Sequence, residues 1–124
     1  MFTKLGQVML YVKDQQAARR FWTEKAGFQV IAEESSHGMH WIEIAPDQDS
    51  ETTIVLHDKA AVEKMSPGVH LGTPSLMFYS HQLDVLYQDL TAKGVTVGEI
   101  VEMPSGRVFN FADDEGQYFA VMEK

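Results

Sequence analysis

The chain has 124 residues, is 44% apolar, and carries a formal charge of -8 from 18 acidic and 10 basic side chains. That length suits one domain with a genuine core, and the acidic balance disfavours nonspecific binding to phosphate backbones. There is no cysteine, which excludes disulfides, thiolate chemistry and cysteine-ligated zinc.

No apolar run is long enough to cross a bilayer. The opening "MFTKLGQV" lacks the apolar stretch of a signal peptide. These features predict a cytoplasmic protein whose partner is neither nucleic acid nor membrane, and the negative charge favours a neutral or cationic ligand.

In chain order, "VMLYV" (8–12) has the composition of a strand. Asp14 can cap a helix on which Ala17, Ala18, Phe21, Trp22 and Lys25 fall at helical spacings, with Phe21 and Trp22 facing a sheet. Gly27 ends that helix through a left-handed conformation. "FQVIAEE", "MHWIEIAP" and "TTIVLHD" read as strands, with "PDQDS" as a polar turn. His37 and His40 fall around a turn in "SSHGMHW". The segment "KAAVEKMSPGVHLGT" (59–73) connects two halves and begins with a short helix.

The order then repeats. "LMFYS" is a strand, and "HQLDVLYQDLTAKG" is a helix burying Leu83, Leu86, Leu90 and Tyr87. "VTVGEIVEM" is a strand bent at Gly98. "VFNFAD" and "YFAVME" are strands joined by "DEG". Val8 and Leu76 are 68 positions apart, and Gly27 and Gly94 are 67 apart. The fold class is therefore α+β, with two βαβββ modules at about 1–58 and 74–124 and their helices outside. The predicted modules make a single domain whose mixed sheet curves into a cup around a cleft. The alternative is an ordinary α+β domain with accidental internal similarity.

The pieces "GQVMLYVKD", "ARRFWTEKAGF", "HWIEIAP" and "FNFADDEGQYF" occur in an order that resembles the vicinal-oxygen-chelate superfamily. That superfamily includes glyoxalase I, extradiol dioxygenases, and the fosfomycin and bleomycin resistance proteins. The resemblance covers nearly the whole chain. It implies four metal ligands, one on each of the first, fourth, fifth and eighth strands. Gln7 matches the first of these. The others fall near Val55, at Ser75 and at Ala120, which are poor donors or none. The resemblance also implies a homodimer, for which adjacent Phe21 and Trp22 offer support if one lies outside the local core.

Strand alternation places Gln7, Met9 and Tyr11 on one face, with Met77 and Tyr79 as their counterparts. Trp41 and Glu43 share a face, as do Val55 and His57, Val108 and Asn110, and Tyr118, Ala120 and Met122. The candidate ligand-binding residues are thus Gln7, Met9, Tyr11, Trp41, Glu43, His57, Met77, Tyr79, Arg107, Asn110 and Tyr118. An aromatic and methionine-rich lining with few polar groups suits a small organic ligand, including a cation held over a ring face. Arg107 can reach an anionic group or pair with a carboxylate, and Glu43 needs a partner from Gln7, Arg107 or a basic ligand.

The resulting expectation is binding of a small organic molecule in the inter-module cleft, sequestering a drug, with no metal or other cofactor. One alternative is a lyase, isomerase or thiol transferase of the glyoxalase type, with a divalent metal at a displaced Gln7, Glu43 and His57 site. Another is a regulatory or interaction module without catalysis.

Overall fold

A computed structural model describes residues 1–124. Contacts divide the chain into two compact units, Met1–Thr73 and Pro74–Lys124.

The first unit opens with β1 (Gln7–Val12). Val8, Leu10 and Val12 point one way, and Leu10 and Val12 are buried in the core. Gln7, Met9 and Tyr11 point the other way. Helix α1 (Gln15–Arg20) starts where the Asp14 side chain accepts a bond from the Ala17 N–H at 3.0 Å. It runs on into a π-helical turn, Phe21–Lys25. In this widened turn the Ala26 N–H reaches the Phe21 carbonyl at 3.1 Å.

The π-turn corrects the argument for a homodimer from adjacent aromatics. Neither Phe21 nor Trp22 is outside the core: they are 6% and 0% exposed. The widened turn re-aims successive side chains, so both face inward, edge to face at 5.4 Å, with Phe28 closing on Trp22 at 5.0 Å.

The sheet is completed by β2 (Gln29–Ser36), β3 (Met39–Ala45) and β4 (Thr53–Asp58) in the order β1-β4-β3-β2. The β1–β4 pair is parallel and the others antiparallel. His37 and Gly38 turn the β2–β3 hairpin with φ of 52° and 80°, the left-handed pair that a two-residue hairpin turn requires. β4 is central, and its residues Thr53 to Leu56 are all buried. Helix α2 (Lys59–Met65) follows directly, capped by Asp58.

The second unit repeats the plan with β5 (Met77–Ser80), α3 (Leu83–Ala92), β6 (Val101–Met103), β7 (Gly106–Ala112) and β8 (Tyr118–Glu123). Its sheet order is β5-β8-β7-β6, with β5 parallel to β8. Leu83, Leu90, Phe109, Phe119 and Val121 form the core under α3, and Tyr87 meets Phe109 edge-on at 5.0 Å. Gly27 and Gly94 end the two module helices with nearly equal φ, 77° and 79°, so the internal repeat extends to the backbone of the caps.

Two expectations change. Hydrogen bonding makes two separate four-stranded sheets, not a single one. The stretch 95–103 is a continuous strand only at its end. Before that, Val97 makes an isolated bridge to Phe111 and the Gly98 N–H reaches the Asn110 carbonyl at 2.8 Å. Gly98 has no side chain to pack on a neighbour and costs more entropy to order, which interrupts the ladder there.

Candidate functional site

The face of the first sheet opposite the Leu10–Val12 core carries a patterned set of side chains. Register fixes its rows. Tyr11 lies beside His57, and His57 beside Trp41. Met9 lies beside Val55, and Val55 beside Glu43. Gln7 lies beside Thr53. The structure therefore brings Gln7, Met9, Tyr11, Trp41, Glu43 and His57 onto one surface.

The first of these rows is aromatic. Tyr11 and His57 stack with centroids 5.9 Å apart and planes 27° apart. His57 Nε2 lies 3.2 Å from the Met9 sulfur. A thioether only accepts, so the ring proton sits on Nε2 and Nδ1 keeps its lone pair. Nδ1 is buried and has no hydrogen-bond partner. Burial lowers the His57 pKa below the ordinary imidazole value, because desolvation disfavours the charged ring. His57 is neutral at physiological pH.

Glu43 is oriented from below. Its Oε2 accepts a 2.6 Å bond from the Thr53 hydroxyl and a longer 3.4 Å bond from the Gln7 amide. Both bonds go to one oxygen, so Oε1 is left for another donor. Thr53 is 8% exposed and was missed by the sequence reading. Its one detectable signal was alternation with Val55 and His57, which puts all three on the same face. Only the register shows that its hydroxyl meets Glu43.

On the second sheet, register aligns Met77 with Ala120, Ala120 with Asn110, and Tyr79 with Met122. Tyr118 pairs with Ala112 on the same face. Met77, Tyr79 and Tyr118 are 47%, 65% and 59% exposed. The Lys124 ammonium lies 5.3 Å from the Tyr79 ring centroid, so one tyrosine face already holds a cation from within the chain.

Arg107 is not part of this surface. It alternates with Val108 and shares the α3-covered side with Phe109. There its guanidinium donates to Asp84 on α3 at 2.7 and 3.2 Å and to Glu123 on β8 at 2.6 and 3.3 Å. Of its two expected uses, the pairing with carboxylates is the one found. It also does not serve Glu43. The bonds to Arg107 hold the Asp84 and Glu123 carboxyls below their usual pKa and raise the guanidinium's own.

The donors for a divalent ion do not fit. No three His, Asp or Glu side chains group in a way that could hold a metal ion. In the displaced set, the Gln7 amide nitrogen donates to Glu43 and His57 Nε2 faces the Met9 sulfur, so neither nitrogen is a lone-pair donor to a metal in this arrangement. No helix is long and apolar enough to cross a membrane.

Two four-stranded mixed sheets, each in a βαβββ-like module with flanking helices, define the class of protein. Residues 4–121 match the Glyoxalase/Bleomycin resistance protein/Dioxygenase superfamily, and the chain belongs to that superfamily. It is similar to the uncharacterized protein YetH of Bacillus subtilis (strain 168), with 34% identity, covering 99% of this chain and 100% of that one. Among solved structures it resembles TnmS3, an antibiotic binding protein from Streptomyces sp. CB03234, with a TM-score of 0.84 at 24% identity over 98% and 96% of the two chains. A glyoxalase/bleomycin resistance protein from the same source superposes with a TM-score of 0.77 at 26% identity over 96% and 99%.

Proposed function

We propose that this chain binds a small organic molecule bearing an aromatic or cationic group, without a metal, and sequesters it without breaking a bond. The ligand lies on the face of the first sheet that carries Glu43 and Trp41. The observation that carries this reading is Glu43: Thr53 and Gln7 hold its Oε2, Oε1 is available, and the Tyr11, His57 and Trp41 row lies beside it. A ring stacks on that row and an amine reaches the carboxylate. Met9, 37% exposed, adapts to the ligand's outline. The homodimer implied by the resemblance is part of the same proposal.

The test is titration with bleomycin-like cations and neutral aromatic compounds of similar shape, read by Trp fluorescence. Trp22 is fully buried, so the response reports on Trp41. Saturable binding of the cations is expected. Glu43→Gln should weaken it by about tenfold while sparing the neutral compounds, the scale of one hydrogen bond to a charged group. If no compound in the panel saturates, the proposal fails.

A further inference from the structure

We propose that the β2–β3 hairpin carries a second, independent site: a nucleophilic serine, Ser35, activated by His40 and Glu33, that reacts with electrophilic esters and phosphonates. Glu33 and Ser35 stand two apart on β2 and share a face, and Ser35 is the cross-strand partner of His40. His40 Nε2 is 2.9 Å from Glu33 Oε2, and His40 Nδ1 is 2.6 Å from the Ser35 hydroxyl oxygen.

Chemistry assigns the protons. An ionised carboxylate only accepts, so Nε2 carries the hydrogen that Glu33 receives. In the neutral form of the ring, Nδ1 is then the nitrogen with the lone pair, and the Ser35 hydroxyl donates to it. A nucleophile, a base and a carboxylate that orients the base are thus linked in series, each within hydrogen-bond reach. The ring is turned the other way from the serine-protease arrangement, where Nε2 faces the serine, but either nitrogen's lone pair can take a proton.

The surroundings hold the three groups in place. Arg19 on α1 pairs with the other Glu33 oxygen at 3.2 Å. The Gln15 amide donates to the His40 carbonyl at 2.7 Å and to the Leu56 carbonyl at 3.0 Å, pinning β3 beside β4. Ser35 itself is exposed, so an electrophile can reach it. This cluster lies on the sheet face opposite Glu43 and Trp41, since Glu33 pairs with the buried Ile42.

With an alkyl fluorophosphonate, the Ser35 oxygen–phosphorus bond forms and the phosphorus–fluorine bond breaks. Fluoride leaves, and the hydroxyl proton passes to His40 Nδ1 and then to solvent. The experiment treats the intact protein with this probe and maps the adduct by mass spectrometry. Expected is a single adduct on Ser35, absent in Ser35→Ala. Its rate should fall by about a hundredfold in His40→Ala, the lower end of what general-base catalysis contributes. Glu33→Gln should leave the adduct on Ser35 but slow its formation and shift its pH profile, which a merely structural carboxylate would not do. No adduct on Ser35, or an unchanged rate in His40→Ala with the fold intact by circular dichroism, overturns the proposal.

Discussion

Glu43 and Thr53 show how one hydroxyl determines what a carboxylate can do. A half-buried carboxylate is costly unless it is hydrogen-bonded, and Thr53 supplies the shorter of its two bonds. Thr53→Val keeps the shape and removes that donor. It should destabilise the fold by about 1–3 kcal/mol, the cost of an unsatisfied buried polar group, measured by urea denaturation. His57 gives a residue-scale pH prediction. Its pKa is lower in the fold than in the unfolded chain. The unfolded state therefore binds the proton more readily, and the stability contributed is complete above the ordinary imidazole pKa and is lost as pH falls through and below it. His57→Gln should flatten that part of the stability profile, followed as urea midpoint between about pH 7 and pH 5.

The glycine caps and the Arg107 bridge belong to the scale of elements. Gly27 and Gly94 hold φ of 77° and 79°, and a Cβ added at either meets nothing within 4 Å. The penalty for alanine is thus conformational alone, about 1–2 kcal/mol at each cap. Nearly equal losses for Gly27→Ala and Gly94→Ala are expected in urea titrations, since the two caps are the same device used twice. Arg107 ties β7 to α3 and β8 through Asp84 and Glu123. Both carboxyls have lowered pKa values, so their contribution is present above the unfolded carboxyl pKa and is lost as pH falls. Arg107→Met should reduce the acid sensitivity of folding between about pH 5 and pH 3.

For the whole molecule, the proposed homodimer is tested by sedimentation at micromolar concentration, where a species of twice the chain mass is expected and a stable monomer would count against it. The βαβββ repeat was legible because each module reuses the same cues: alternating apolar strands, a helix of apolar spacing, and a glycine at its end. Alternation along β1, β3 and β4 also anticipated that Gln7, Met9 and Tyr11 share a face, as do Trp41 and Glu43, and Val55 and His57. These are local properties, set by the two-residue period of a strand.

Three features were not local. The sequence placed Phe21 and Trp22 toward a sheet, as found, but did not show the π-turn over Phe21–Lys25, because a local apolar pattern reads the same for a regular helix. Nor could it choose between a ligand and a carboxylate for Arg107, because Asp84 and Glu123 lie 23 and 16 residues away. The Thr53–Glu43 bond and the Ser35–His40–Glu33 series depend on strand register, which sequence constrains only through the hydrophobic face. The chain by itself determined which residues alternate and where elements stop. The tertiary structure decided which polar atoms meet, because hydrogen bonds require distances of about 3 Å that strand pairing, not spacing along the chain, sets.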